Sequence, residues 1–323
     1  MFYYTKGSQI MKTRLYYPYS DFLKDKYGEK VYKLPVNLPI TCPNRLDGPG
    51  CIFCADAGTG FEAAASDVSV PRQLTETRKL IRRRYNAYKY IAYLQNYTNT
   101  FMPLEQFKTY LTEAAQTEDV VEIAVSTRPD CIRRDYLDAL SEIAAAYNLS
   151  ITIELGLQTA NYHTLEKIRR GHGLAEFIDA VSQIRQYDFT ICTHVILNLP
   201  WDDRLDVVET AKILSALHVD IVKIHSLYIA KNTILCEAYK SGTISVCSKE
   251  EYFERLILFL EHLPPDMAVE RLFSRIPEKD AVFCNWHTSW WKLKDEFTGK
   301  MCTEGSYQGK RFDYLNGSAL RKL

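Results

Sequence analysis

No run of apolar residues in this 323-residue sequence approaches membrane-spanning length. Residues 1–20 (MFYYTKGSQIMKTRLYYPYS) hold neither a continuous apolar core nor the small-residue cleavage site of a secretory signal. A cytosolic, cytoplasmic protein is therefore expected. Net charge is missing too: 40 basic and 40 acidic residues cancel. No global basic field marks the chain as a nucleic-acid binder, and any such binding rests on local patches. Internal repeats and low-complexity linkers are absent. Nine cysteines, an odd number in a chain of this length, do not make a disulfide framework. Reduced thiols are expected, and the informative question is which of them cluster.

What is present is an ordinary globular composition, 46% hydrophobic and 25% charged, long enough for one large α/β domain or two smaller ones. Strand-like and helix-like segments alternate. Strands are expected at 30–38, 90–95, 120–127, 149–158, 189–199 and 219–229, and helices at 71–85, 103–116, 133–147, 175–187, 205–217 and 249–263. Strands separated by single helices imply right-handed βαβ units and a parallel sheet. Six such units suit an α/β fold of the partial (β/α)6 TIM-type barrel kind, with an open doubly wound sheet as the alternative. Either places catalytic residues at the carboxyl ends of the strands. Residues 1–29 read as an N-terminal extension, 30–263 as the core and 264–323 as an irregular C-terminal cap that begins at Pro264-Pro265.

The chemistry concentrates in TCPNRLDGPGCIFCADAGTG (41–60). Cys51 and Cys54 form a C-x2-C pair, and Cys42 lies nine positions upstream. Pro43, Gly48, Pro49 and Gly50 supply the turns that let such a loop fold back on itself. Three thiolates are one fewer than a closed structural zinc or iron–sulfur site uses, which leaves a metal position open for a ligand. The alternative is a zinc site completed by a distant His or Cys. Against it stand the lack of a second C-x2-C or H-x3-H pair and the position of the loop after the first strand of a βα series. The other six cysteines are unpaired at ligand spacing and read as small buried apolar residues.

The C-x8-C-x2-C spacing, with Phe53 before the last cysteine, resembles the radical S-adenosylmethionine (SAM) superfamily. Over residues 30–312 the chain resembles its YhcC/YtqA group, relatives of the radical SAM domain of the Elongator catalytic subunit. The landmarks are CPNRLDGPGCIFC (42–54), YLQNYTNT (93–100), STRPDC (126–131), ELGLQT (154–159), THVILNLP (193–200), KIHSLYIAKNT (223–233) and YQGKRF (307–312). The resemblance implies a [4Fe–4S] cluster on Cys42, Cys51 and Cys54, with SAM on the open iron and an electron donor of the flavodoxin or ferredoxin type. It also implies candidate SAM contacts. Gln95, Thr98 and Asn99 follow the second strand, where related enzymes receive the SAM amino group; a polar strand end is the alternative. Ser126 and Arg128 end the third strand, Arg128 either pairing with the SAM carboxylate or forming a salt bridge to Asp130. Glu154 and Gln158 flank the end of the fourth strand. Glu154 needs a partner inside an apolar strand, whether a ribose hydroxyl, Arg128 or His194. His194 in the fifth strand is either a satisfied core residue or part of the site. Relatives commonly carry glycines after the fifth strand; here Asn198 and Trp201 stand in that loop, which puts the adenine contact in doubt unless Trp201 stacks on the base.

Basic residues interleaved with aromatics occur at 78–90 (Arg82, Arg83 and Arg84 with Tyr85, Tyr88 and Tyr90), around Lys167, Arg169 and Arg170, and in the tail (Trp286, Trp290, Trp291, Lys292, Lys294, Lys310 and Arg311). Such patches suit phosphate contact with base stacking, or else are solvated faces over packed tyrosines. The resemblance favours tRNA as the partner. The YtqA-like branch, also called MnmL, implies conversion of 5-carboxymethylaminomethyl to 5-aminomethyl uridine at the wobble position. The alternatives are a radical SAM enzyme acting on a small molecule and a non-catalytic, zinc-stabilised RNA-binding module.

Overall fold

The structure, a computed structural model, describes residues 2–6, 9–46, 48–55 and 63–322; Asp47 and residues 56–62 of the cysteine segment lie outside the described residues. A short antiparallel hairpin, β1 (Phe2–Lys6) and β2 (Gln9–Thr13), leads into α1 (Tyr19–Tyr27). The alternation then runs β3 (Val31–Val36), α2 (Val70–Tyr85), β4 (Lys89–Leu94), α3 (Leu104–Ala115), β5 (Val120–Thr127), α4 (Arg134–Tyr147) and β6 (Ser150–Gln158). It continues through α5 (Tyr162–Lys167), α6 (Leu174–Ile184), β7 (Thr190–Ile196), α7 (Arg204–Ala216) and β8 (Ile221–His225). After β9 (Ile229–Ala230), α8 (Ile234–Lys240) and α9 (Lys249–His262) come β10 (Ala268–Arg271), β11 (Ala281–Phe283) and α10 (Trp290–Thr303).

Seven strands pair in the order β10-β8-β7-β6-β5-β4-β3, all parallel. The order never reverses, so there is no topological switch point of the doubly wound kind. The sheet also curls. Lys33 on one edge strand reaches Glu270 on the other at 2.7 Å, a contact that a flat seven-stranded sheet forbids. The architecture is the expected half-barrel with one strand more than the six foreseen. The seventh, β10, is only four residues long and follows directly on the Pro264-Pro265 break, so it carried no readable period.

Each strand has two faces. Outward residues such as Leu34, Leu94, Val125, Ile153 and Ile224 join the main core under the helices. Inward residues are mixed. A layer of Ile91, Ala124, Cys192, Ile221 and Ala268 meets Tyr19 and Leu23 of α1, so α1 plugs the bore and touches both edge strands. Above that layer the inward positions are charged. Edge position explains Pro35, which interrupts no central ladder in β3. The sixth expected strand stops at His225 rather than running to 229, because the Leu227 amide leaves the sheet to donate to Asn198 Oδ1 at 2.6 Å.

The closing YQGKRF segment acts as a clasp. The Gln308 amide donates to Pro264 O (2.6 Å) and Met267 O (2.8 Å) and accepts from the Tyr17 amide (2.8 Å). Gly309 sits at φ +85°, and a Cβ there would lie 2.8 Å from Pro265 Cγ. Lys310 and Arg311, grouped above with possible RNA contacts, instead approach the buried Glu261 at 3.7 and 2.7 Å. Replacing Gly309 with alanine is expected to destabilise the fold by about 1–3 kcal/mol, from left-handed backbone and overpacking together. The check is the midpoint of chemical unfolding, and an unchanged midpoint would show that the clasp contributes nothing.

Candidate metal and cofactor site

The cysteine loop leaves the carboxyl end of β3 and lies across the mouth of the half-barrel. It is stitched on both sides: the Ile52 amide donates to Ile168 O (3.1 Å), and Ile52 O accepts from the Leu235 amide (2.9 Å). Within the loop the Cys54 amide returns to Cys51 O at 3.0 Å. Arg45 donates to Cys54 O (3.0 Å) and Ala55 O (2.7 Å). From the far side the turn after α5 docks on it. Asn44 Nδ2 donates to the carbonyls of Arg169 and Arg170, both at 2.9 Å. Gly171 makes that approach possible, since a Cβ there would stand 2.3 Å from Asn44 Oδ1 and its φ is +75°.

Donors converge on the sulfurs. Arg170 Nη1 and Asn44 Nδ2 lie 3.6 and 3.5 Å from Cys51 Sγ, and Arg128 Nη1 lies 3.8 Å from Cys42 Sγ. Cationic and N–H donors around three thiols stabilise thiolates or an anionic cluster. Burial pushes the Cys54 thiol up, opposed by the Arg45 guanidinium. Among the described residues Glu154, Cys192 and His194 form a trio whose ligand atoms all lie within 4.8 Å of one another. The Glu154 trio itself has little to offer a cation, because two ammonium groups already neutralise its surroundings.

Next to the thiols is a cavity of about 120 Å³ lined by Cys42, Cys51, Cys54, Thr98, Ser126 and Gln158 among others. It shares Phe53, Gln95, Gln158 and His194 with a second cavity of about 220 Å³ in the bore. Thr98 is 1% exposed and its hydroxyl has no partner among the described residues. Such a group costs about 1–3 kcal/mol until something completes it, and SAM with its ammonium and carboxylate would do so. Gln158 ends β6 at φ +79° after a register shift, which turns it toward both cavities.

Other residues predicted from the sequence are engaged by the protein. Asn99 Nδ2 donates to the carbonyls of Leu94, Asn96 and Ser126 at 3.0, 3.1 and 2.8 Å, tying two strand ends together; it does not line the cavities. Arg128 grips Asp130 with Nε (2.8 Å) and Nη2 (2.6 Å) and donates to Arg170 O (2.9 Å), and it also lines the smaller cavity. Arg170, grouped with the basic patches, is buried and donates to Gly156 O at 2.7 Å; it braces the loop. Trp201 does not stack over the cavities but packs in an apolar cluster with Ile52, Leu165 and Leu199, with Lys167 Nζ 5.8 Å from its ring centroid. Trp286 is likewise structural, donating to Cys247 O at 2.8 Å.

Glu154 found a larger partnership than any foreseen. Its carboxylate meets Lys33 (2.5 Å), His194 (2.7 Å), the Tyr93 hydroxyl (2.8 Å), Lys223 (3.2 Å) and the Ser126 hydroxyl (3.4 Å). Glu270 joins through Lys33 and, at 3.0 Å, Lys223. Burial alone would raise Glu154, but the Lys223 and Lys33 ammonium groups and His194 outweigh it and hold the carboxyl well below its usual range. Burial and the Lys223 charge lower His194, so its ring is neutral near pH 7. Sequence reasoning missed Lys33, Lys223 and Glu270, although a lysine inside IVKIH carries the same signal as a glutamate inside ITIEL.

Comparisons with known proteins identify the family. The Radical SAM superfamily profile matches residues 36–214, and the Radical_SAM C-terminal domain profile matches 219–302. The chain is 33% identical over 304 residues to YtqA of Bacillus subtilis, covering 93% of this chain and 94% of YtqA. It is 24% identical over 160 residues to the tRNA uridine(34) acetyltransferase of Methanocaldococcus jannaschii, covering 49% of this chain and 29% of that protein. The solved structure of Methanocaldococcus infernus Elp3 superposes with a TM-score of 0.66 at 16% identity, covering 86% of this chain and 64% of that one.

Two outcomes are expected. Arg170→Met should lower bound iron after anaerobic reconstitution several-fold with far-UV circular dichroism unchanged; full iron loading would show that the brace is dispensable. Glu154→Gln should cost about 3–5 kcal/mol, because it strands buried ammonium groups. The lowered carboxyl contributes stability above the ordinary Glu value of about 4.3 that is lost as pH falls further. Urea titrations across pH 3–7 should therefore show a shallower acid limb in this variant than in the wild type.

Proposed function

The chain belongs to the radical SAM superfamily, in the group of YtqA, and from that premise we propose that it modifies the wobble uridine of tRNA. The reaction is conversion of 5-carboxymethylaminomethyl to 5-aminomethyl uridine. A hydrogen atom would be removed from the carboxymethyl carbon; loss of a second electron to a one-electron acceptor and hydrolysis of the resulting imine by water would then cleave the C–N bond, releasing the 5-aminomethyl uridine and glyoxylate. Enzymes of this superfamily bind a [4Fe–4S] cluster and SAM, whose reductive cleavage supplies a 5′-deoxyadenosyl radical.

The observation that carries the enzymatic reading is the three-thiol loop beside a cavity walled by Thr98, Ser126, Gln95 and Gln158. Cys42, Cys51 and Cys54 would hold the cluster. Thr98 and the two glutamines offer neutral oxygens to an ammonium. Burial and the Lys223 charge keep His194 neutral, and its hydrogen bond to Glu154 fixes the ring at the boundary of the two cavities, so that wall neither drifts nor titrates near neutrality. The depth of the bore, plugged from below by α1, keeps bulk water from one side of the reaction.

The tRNA assignment draws support from the similarity to a tRNA uridine(34) acetyltransferase and from surface chemistry. Trp290 and Trp291 are exposed, Arg275 lies over the Trp290 ring at 3.9 Å, and Lys292 and Lys294 flank them on α10. Arg82, Arg83 and Arg84 form a second exposed set at the end of α2. The electron would come from an external donor of the flavodoxin or ferredoxin type.

Nucleosides from tRNA of a deletion strain, measured by mass spectrometry, test the reading. The carboxymethylaminomethyl form should accumulate at the expense of aminomethyl products, and a plasmid-borne Cys51→Ala gene should not reverse it. An unchanged wobble-uridine profile would reject this substrate.

A further inference from the structure

The bore cavity of about 220 Å³ is lined by four cations, Lys33, Lys223, Arg271 and Arg275, against one acid, Glu270. Two of the cations are already neutralised. Lys33 and Lys223 each touch both Glu154 and Glu270, so two ammonium groups meet two carboxylates and their charges cancel. Arg271 is different. It is the last residue of β10 and half-buried, and its side chain has no hydrogen bond or ion pair among the described residues. Its influence reaches His225 and Tyr228, which line the same cavity.

The guanidiniums near the cysteines contrast with it. Arg128 is closed on Asp130, and Arg170 on the Gly156 carbonyl. A half-buried guanidinium with no ion pair among the described residues loses hydration without Coulombic return, and a planar anion is the ligand that its fork fits best. His225 stands beside it with Nδ1 3.4 Å from Ser274 Oγ. Burial, His194 and the Arg271 and Lys223 charges keep the His225 ring well below its usual value and hence neutral. A neutral imidazole can give a hydrogen bond to an anion without adding charge to the bore.

Position adds a further argument. Arg271 and Arg275 also line a groove of about 530 Å³ along the seam between β3 and β10, together with Lys30, Lys33 and Lys294. The guanidinium therefore stands between the surface and the bore, and it is not among the residues around the thiols. We propose that Arg271 binds a carboxylate arm of the substrate, holding the carbon next to that carboxylate in the cavity beside the thiol loop. Only the identification of the arm as the N-carboxymethyl group rests on the wobble-uridine reading; the anion site itself does not.

The test uses full-length, cluster-reconstituted, unreduced protein saturated with SAM, and two ligand pairs that differ by the carboxymethyl group. One pair is 5-carboxymethylaminomethyluridine and 5-aminomethyluridine. The other is N-benzylglycine and benzylamine, which carry no nucleoside. Titration calorimetry should show the carboxylate member of each pair binding the wild type about tenfold more tightly or better. Arg271→Gln should bring both ratios near one, with iron content and SAM affinity unchanged. Arg271→Lys, which keeps the charge, should restore part of the preference and so guards against a folding defect. If only the benzyl pair is discriminated, and Arg271→Gln abolishes that, the anion site stands and the uridine reading fails. If Arg271→Gln keeps the wild-type preference, the site is overturned while the uridine reading survives. No preference in the wild type for either pair also overturns it. So does weakened SAM binding in Arg271→Gln, which would assign the guanidinium to the cofactor.

Discussion

Four charges in the bore hold this structure in its shape. Lys33 comes from the first strand of the sheet, Glu154 from the middle, Lys223 from the sixth strand and Glu270 from the last. A half-barrel leaves its two edge strands unpaired with each other, and backbone hydrogen bonding offers nothing across that gap. Here a lysine on one edge reaches a glutamate on the other, and α1 covers the space beneath. Buried ion clusters are seldom a net gain over apolar packing, since desolvation of each charge costs several kcal/mol. What this one supplies is registration. Each charge has at least two partners, so sliding one strand by a residue would strand a charge and turn its side chain to the wrong face.

The same cluster sets the polarity of the mouth above it. Because Glu154 is saturated by donors, it is a fixed wall rather than a free ligand, and Ser126, Tyr93 and His194 are oriented by it. The cysteine loop is held by a separate device, the Arg170–Gly171 turn, which inserts a guanidinium toward Cys51 while Asn44 reaches back over Gly171. The thiols are thus anchored to β6 and α5, and the cavity lies between two braces of different chemistry. Preorganisation of this kind lets a small protein position a cofactor that carries the demanding chemistry.

Much of this was legible in the amino-acid order. The βα alternation was readable because outward residues are continuous and apolar, and the thiol spacing pointed to an incomplete metal site. The polar lining was harder to read. In VYKLPV, VEIAVST, ITIEL, CTHVI, IVKIH and AVER every second inward position tends to be polar or charged, the period-two pattern of a strand with a wet face. Glu154 was noticed because it interrupts an obvious apolar run. Lys33, Lys223 and Glu270 carry the same mark, but a lone lysine in a strand is usually read as solvent-facing, and only curling of the sheet brings the four together. β10 was illegible for a different reason. Four residues after a double proline show no period, and the strand exists because β8 offers it a parallel edge.

The loop after β7 shows how an unusual residue is absorbed. Glycine there would let a ligand approach the backbone, and Asn198 appears to the eye as an obstruction. Its side chain is 1% exposed and accepts the Leu227 amide. That bond ends β8 and turns Ser226 toward Ser274 and Asn285, each linked to it by a hydrogen bond. The asparagine therefore serves the placement of the segment that carries Arg275, at the outer opening of the bore. Trp201 is drawn off into an apolar cluster beside Leu199. The side of the cavity left open lies between β3 and β10, where the edge strands meet through side chains alone.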